Sequence, residues 1–336
     1  MSDISTLGLA IVLFLQNLGE GLRTWMSFFT FLGSEEFVLL FIPALYWCVD
    51  TGLGLRAGVL FFLSSATGDI IKILLHTPRP FWVSTAVKTW GSEASFGMPS
   101  LHAQNAVVLW STLGTYLQRG WGWLLASALI FLVSISRLYL GVHFPQDTLL
   151  GWGIGALLLG LAAWLQPAFD SYMRLPQWKR MAAAGALSLA LIVFGAASSM
   201  YTAITWQIPR AWMETFTQNA PGADFNPLDI SIFFSLGGVL FGMAVGALWL
   251  QEHGGYVTAG PIGERIQRYV LGIVVTIGLW YGLKLVFPGG LRLAAMLFRS
   301  LRYALVGGWV SAGAPLAFRR LGWARAAQGR PSQTKG

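Results

Sequence analysis

Charge is scarce in this sequence. Asp, Glu, Lys and Arg make up 11% of its 336 residues, well under the roughly 25% of soluble domains. Hydrophobic residues reach 55% and the mean hydropathy is +0.61, which excludes an ordinary soluble domain and implies an integral membrane protein. Cysteine is nearly absent. Cys48 stands alone in EFVLLFIPALYWCVD, so neither an intrachain disulfide nor a CxxC metal site can form, and Cys48 reads as a buried apolar filler. The basic excess, a formal net charge of +8, forms no stripe with interleaved aromatics. It reads as membrane topology and not as a nucleic-acid surface. There is no internal repeat or low-complexity tract. The start, MSDIST, lacks the basic n-region of a cleavable signal, and no small-residue cleavage site follows.

Long apolar runs are abundant. Segments able to cross about 30 Å of hydrocarbon, or nearly so, fall at about 37–49, 55–76, 100–117, 121–140, 146–166, 181–200, 230–250, 268–287 and 297–318. The expectation is an all-α polytopic helical bundle of about nine transmembrane helices. Residues 1–34 differ: LGLAIVLFL is too short to span and is followed by Glu20, Arg23 and WMSFFTFLG, so an interfacial or re-entrant segment is expected. Arg56, Arg119, Arg174, Lys179, Arg180, Arg265, Arg268, Arg319, Arg320, Arg325 and Arg330 can share one side of a nine-crossing chain, which makes that side cytoplasmic. The other side, outside or lumenal, receives Glu35, Glu36, the 77–98 loop, the 141–146 junction and the 201–229 stretch with Glu214, Asp224 and Asp229.

Polar residues collect on that outer face. KILLHTPRPF closes the second segment with Lys72 near its end and Arg79 between Pro78 and Pro80, which hold the backbone extended. MPSLHAQN opens the third, with Ser100 at a helix N-cap and His102 in the first turn, where free N–H groups favour an anion. The hairpin through YLQRGWGW returns the chain, so Arg137 in SRLYLGVHFPQD comes back to the level of Ser100. Pro145 suits the first turn of the next helix, which places His143 before it and Asp147 inside it. Each residue alone has a plain reading: Lys72 snorkelling, Ser100 capping, Asp147 complementing a helix dipole. Gathered on one face, three cations, two histidines, a hydroxyl and a carboxylate describe a site for a multiply charged oxyanion, equipped for nucleophilic attack on phosphorus.

KILLHTPRP, PSLH and SRLYLGVHFPQD, in that order and spacing, resemble the three-part signature of the type 2 phosphatidic-acid phosphatase (PAP2) superfamily, which includes lipid phosphate phosphatases, undecaprenyl-diphosphate phosphatases and glucose-6-phosphatase. The strings RPFW and SRLYLGVHFP look most like the glucose-6-phosphatase branch. The resemblance implies a PAP2-like core at 35–168; the apolar runs at 169–320, outside the signature, read as additional transmembrane helices and 321–336 as a basic cytoplasmic tail. It also implies roles. His143 would be the nucleophile that forms a phosphohistidine, and Asp147 would orient its ring. His102 would protonate the leaving oxygen and then activate water. Lys72, Arg79, Ser100, Arg137 and the amide of Leu101 would hold the phosphoryl oxygens, with no metal or other cofactor. Residue 101 departs from the usual PSGH, so a conformation open only to glycine is excluded there. His76 has no family role and reads as an interfacial neighbour.

The expected partner is a phosphorylated lipid or polyprenyl diphosphate in the surrounding membrane lipid, at an outward-facing site in what resembles a bacterial plasma-membrane protein. A soluble sugar phosphate is the enzymatic alternative, and a lipid-binding or lipid-flipping protein with a vestigial site the non-enzymatic one. Vanadate-dependent haloperoxidases resemble the same motifs but are soluble. Trp82, Trp90 and Phe96 would form an interfacial belt or cover an acyl or prenyl chain. In GGLRLAAMLFRSLRYALVGGW, Arg292, Arg299 and Arg302 share one helical face. They are expected either to bind a second anionic part of the substrate or to serve as headgroup anchors or partners of Glu214 or Asp224.

Overall fold

The computed structural model describes residues 3–91, 93–290 and 292–327. Arg330, with the tail from 328, lies outside the described residues. Among those described, the chain is helical throughout, with no strand. In order the helices are α1 (Asp3–Asn17), α2 (Arg23–Phe31), α3 (Glu35–Ala44, continued by a wide turn to Val49), α4 (Thr51–Leu75), α5 (Pro80–Val83), α6 (Leu101–Leu117), α7 (Gly120–Tyr139), α8 (Pro145–Trp164), α9 (Gln166–Tyr172), α10 (Gln177–Thr205), α11 (Arg210–Asn219), α12 (Ser231–Glu252), α13 (Ile262–Ile277), α14 (Leu283–Val286), α15 (Leu293–Gly308) and α16 (Ala314–Arg320).

Local chemistry sets the boundaries that matter for function. Asp50 begins α4, its Oδ1 accepting the Leu53 N–H at 2.7 Å. At 25 residues and about 1.5 Å per residue, α4 is long enough for the hydrocarbon core. It ends where His76 turns left-handed at φ 37°, and the chain stays extended through Arg79 (φ −94°, ψ 159°) until Pro80 starts α5. Ser100, also extended, occupies the N-cap position of α6. Gly141, at φ 75°, turns the chain from α7 toward α8. A Cβ there would meet Val87 Cγ1 at 2.6 Å and Gln16 Nε2 at 2.8 Å.

Among the described residues, six helices are long and apolar enough to cross a membrane: Thr51–Val83, Gly120–Tyr139, Pro145–Trp164, Gln177–Thr205, Ser231–Glu252 and Ile262–Val286. A seventh is added if Glu20–Phe31 with Glu35–Val49, bent by 51°, counts as one span. The protein is therefore an integral, multi-pass membrane protein, but the expected count of nine is not met. All nine apolar runs are helical, yet three fall short for separate reasons. The 37–49 run is half of the bent pair, α6 has only 17 residues, and 297–318, helical from α15 through a wide turn at Trp309–Gly313 into α16, carries Arg299 and Arg302.

Two compact units are built from interleaved pieces of chain. The first comprises Met1–Val38, Ser64–Trp164 and Phe194–Ile230. Its buried centre joins Val12, Phe81, Trp82, Val87, Phe96, Tyr139, Val142 and Phe216. Here α6 meets α8 closely because a Cβ on Gly151 or Gly155 would reach the carbonyl oxygens of Ser100 (2.7 Å) and Gln104 (2.8 Å). The second unit comprises Leu39–Leu63, Leu165–Val193 and Ser231–Gly336. Its α12 and α15 touch backbone to backbone: a Cβ on Gly238 would come within 2.2 Å of the Ser300 carbonyl oxygen. Small residues at such crossings let membrane helices gain dispersion contacts where lipid supplies no hydrophobic drive.

Candidate active site

The three polar motifs converge within the first unit. Pro78 and Pro80 fix the backbone on either side of Arg79, and the arginine side chain reaches across to the other motifs. Its Nε donates to the Ser95 carbonyl at 2.6 Å and its Nη2 to Ser95 Oγ at 3.0 Å. Its Nη1 donates to the Val142 carbonyl at 2.9 Å and lies 3.2 Å from His143 Nε2. The other ring nitrogen of His143, Nδ1, is 3.3 Å from Asp147 Oδ2, and that oxygen also accepts the Phe144 N–H at 2.8 Å. Asp147 is thus fixed by the backbone and in turn fixes the imidazole. With Nδ1–H directed to the carboxylate, the Nε2 lone pair is left for Arg79 or for an electrophile.

The middle motif is tied to the last one through backbone: the Ser100 N–H donates to the Asp147 carbonyl at 2.9 Å. Ser100 sits at the N-cap yet makes no side-chain cap, and its fully buried Oγ has no hydrogen-bond partner among the described residues. A plain capping role does not account for it, and buried hydroxyls seldom stay unpaired without a purpose. Leu101 is directed to α4, where its Cδ2 lies 2.3 Å from the position a Cβ on Gly68 would take. Gln104 bonds the same stretch, its Nε2 donating to the Ser64 carbonyl at 2.7 Å, and Ser64 Oγ donates to Asn105 Oδ1 at 2.7 Å. The departure at residue 101 therefore has a packing partner in the glycine.

Arg137, buried at the end of α7, donates through Nη1 to Thr30 Oγ1 at 2.7 Å and pairs through Nη2 with Glu93 Oε1. Its Nε is buried and without a partner among the described residues. Glu93 also lies 3.8 Å from Arg79 Nη2. Burial alone would raise the Glu93 carboxyl, but the guanidinium groups of Arg137 and Arg79 outweigh it and hold the acid well below the usual carboxylate range. His143 moves in the direction burial dictates. Desolvation first, then the positive charge of Arg79, Lys72 and Arg137, keeps its imidazole neutral well below the ordinary histidine range. Lys72, itself buried, and His102 in the first turn of α6 are close enough to act on the charge of Glu93 and on the His143 ring. A neutral, oriented imidazole beside three basic side chains has the chemistry of a nucleophile next to a set of oxyanion donors.

Residues 53–170 match the family model of the PAP2 superfamily, and residues 234–326 match that of the PAP2 superfamily phosphatase transmembrane extension. The chain belongs to the PAP2 superfamily. Among curated relatives, sphingosine-1-phosphate phosphatase 2 of Mus musculus is 35% identical over 141 residues, covering 40% of each chain. Phosphatidylglycerophosphatase B of Bacillus subtilis is 28% identical over 149 residues, 40% of this chain and 71% of that one. Undecaprenyl-diphosphatase of Sulfolobus acidocaldarius is 29% identical over 119 residues, 34% and 55%. The chain spans less than half the length of several curated relatives that it matches.

Within this PAP2 chain, Lys72, Arg79, Ser100, Leu101, His102, Arg137, His143 and Asp147 all fall in the first unit. Arg299 and Arg302 do not; they belong to the second. Arg299 Nε donates to Ser235 Oγ at 2.7 Å, and Arg302 lies 5.2 Å from the Tyr303 ring centroid with its Nε unpartnered. Arg292 stands just outside α15, at its N-cap, so the arginine stripe on the helix itself is two residues long. Trp82 corrects another expectation. It is fully buried against Phe96, Trp212, Phe216 and Phe225, so Trp82 and Phe96 are core residues and form no interfacial belt. Trp90 is half-buried and stacks on Tyr139 at 4.9 Å between centroids. His76 is engaged too, its ring 4.4 Å from that of Trp206. Sequence reasoning passed over Glu93, Ser95 and Thr30. The only signal available was a lone acid in the 77–98 loop, close in sequence to PSLH.

Proposed function

We propose that this PAP2 protein is a membrane phosphatase that hydrolyses a lipid phosphate monoester or a polyprenyl diphosphate through a phosphohistidine, without a metal ion. The observation that carries the reading is the two-sided hold on His143: Asp147 at Nδ1 and the phosphate-binding arginine Arg79 at Nε2. When a phosphoryl group enters, the Arg79 N–H moves from Nε2 to a phosphoryl oxygen, which frees the lone pair at the point of attack. Nε2 then bonds to phosphorus as the ester P–O bond breaks, and His102 gives a proton to the leaving oxygen. His102 next takes a proton from water, whose oxygen displaces the imidazole and releases inorganic phosphate. Lys72, Arg79, Arg137, Ser100 Oγ and the Leu101 N–H neutralise the charge that builds on the equatorial oxygens. The unpartnered Ser100 hydroxyl and Arg137 Nε supply two of those donors.

The substrate class follows from the membrane setting and from relatives whose names specify sphingosine 1-phosphate, phosphatidylglycerophosphate and undecaprenyl diphosphate. The proposal sets the site on the outer face of a plasma membrane and the 321–336 tail in the cytoplasm, a sidedness that requires α6 and the 297–318 run to cross the membrane as well. On this reading 35–168 is the catalytic core, 169–320 an added helical region and 1–34 an interfacial or re-entrant segment. Phosphate release by the purified protein from undecaprenyl diphosphate, phosphatidate, phosphatidylglycerol phosphate, sphingosine 1-phosphate and glucose 6-phosphate tests it. Turnover of one or more lipids above glucose 6-phosphate is expected. Preference for the sugar phosphate overturns the lipid assignment, and no release from any of them overturns the enzyme.

A further inference from the structure

The carboxylate of Glu93 lies where an anionic substrate group is expected. Oε1 pairs with Arg137 Nη2 and Oε2 lies 3.8 Å from Arg79 Nη2, so two oxygens on one planar group face the two arginines, as two oxygens of a phosphoryl group would. Beside it, Ser100 Oγ and Arg137 Nε are buried and have no hydrogen-bond partner among the described residues. The cradle is thus half occupied, by an acid of the protein itself.

The segment that carries Glu93 is fastened on both sides but not at the acid. On one side the Lys88 N–H donates to Gln16 Oε1 at 2.9 Å, and Gln16 Nε2 donates back to the Lys88 carbonyl at 2.8 Å. On the other, Ser95 is held by Arg79, and the Gly97 N–H donates to the Thr77 carbonyl at 2.8 Å. Glu93 keeps 32% of its side chain exposed, against 1% for Arg79 and 6% for Arg137, so of the three it is the one with room to move when the contact is exchanged.

We infer that Glu93 is a resident ligand of the phosphate cradle, a specificity element that holds Arg137 and Arg79 until substrate binds and is then exchanged for phosphoryl oxygens. The inference rests on the phosphate-site reading above and deepens it. Until that exchange Glu93 offsets the mutual repulsion of the cations. Every anion that binds must match or exceed its hold on the two guanidinium groups, which favours a doubly charged phosphoryl group over a single carboxylate or a diester. No bond is made or broken in the exchange. One charge-assisted contact is traded for others.

Isothermal titration of the full-length protein in detergent with inorganic phosphate, and separately with orthovanadate, decides it. Glu93→Gln keeps the shape but weakens the competing contact, so both anions should bind roughly ten-fold more tightly, the equivalent of about one charge-assisted hydrogen bond. Glu93→Asp, with a shorter arm, should show a smaller gain in the same direction, and it carries the test if the glutamine variant does not fold. Glu20→Gln, which removes an exposed acid paired with Lys88, should leave affinity within about two-fold, because exposed charges at a distance are screened. Equal or weaker anion binding in Glu93→Gln overturns the resident-ligand role while leaving the phosphate site intact. So does a gain in Glu20→Gln as large as that in Glu93→Gln, since the effect would then be diffuse charge. Absence of anion binding in the wild type and in Glu93→Gln alike overturns the phosphate site itself, and the inference with it.

Discussion

Gly68 and Leu101 offer a direct test of how the site is assembled. Gly68 lies one turn before Lys72 on α4, and a Cβ there would sit 2.3 Å from Leu101 Cδ2 and 2.8 Å from Gln104 Oε1. Gly68→Ala forces the leucine aside. Overpacking of this kind costs about 1–3 kcal/mol, against which alanine regains up to about 1 kcal/mol of helix propensity, so a net loss of about 1–2 kcal/mol is expected. Leu101→Ala removes the methyl that clashes but opens a void. Leu101 is half-buried, so the loss belongs near or below the lower end of the roughly 2–5 kcal/mol range for buried leucine. In Gly68→Ala/Leu101→Ala the new methyl occupies part of that void, and the two losses should fall short of their sum by about 1 kcal/mol or more. Equilibrium unfolding in mixed detergent micelles, followed by circular dichroism, measures the cycle. Activity should follow the same pattern, because Ser100 and His102 flank Leu101 while Lys72 rides on α4. Gly68→Ala alone should lower kcat/KM about ten-fold, a modest share of what an ångström of misplacement costs, and the second substitution should restore part of it. Losses that add within about 0.5 kcal/mol would refute the contact. By the same reasoning Leu101→Gly should lose activity on small phosphate esters; a gain would show that the leucine only narrows the cradle.

Three further outcomes are expected. His143→Ala should abolish labelling of the protein by a radioactive phosphate ester, whereas His102→Ala should still trap some phosphoenzyme from a substrate with a good leaving group; labelling that persists without His143 reassigns the nucleophile. Phosphate release should survive EDTA, and loss of turnover that magnesium restores would defeat the metal-free reading. For pH, burial and the surrounding cations depress the His143 pKa, so between its folded value and the unfolded value of about 6.5 the unfolded chain binds the extra proton. Stability should therefore fall as pH drops below about 6.5, and His143→Asn should flatten that slope. The nucleophile should stay neutral through the same interval, so phosphoenzyme formation should not titrate near pH 6.5; an inflection there would show a solvated imidazole.

The helices and most of the candidate cradle are legible in the sequence because both depend on short-range rules. Apolar runs must become helices in lipid, since every backbone group has to be satisfied within the segment. Lys72, Arg79, Ser100, His102, Arg137, His143 and Asp147 could be grouped because each sits at the end of such a run, and a hairpin such as YLQRGWGW brings ends together. Tertiary structure decided what depends on distant partners. Trp82 and Phe96 read as interfacial aromatics until Trp206, Trp212, Phe216 and Phe225, far along the chain, enclose them. Leu101 read as a defect in a glycine motif until Gly68 on another helix gave it a place. The nine apolar runs reduce to six or seven candidate spans among the described residues because hydropathy does not show where a run bends by 51° or stops at 17 residues. Glu93, Ser95 and Thr30 gave no sign of their role, since an acid or hydroxyl in a loop has no periodicity. Their part in holding Arg79 and Arg137 arises only when the fold brings separate segments within hydrogen-bonding reach, and no local rule of sequence encodes that meeting.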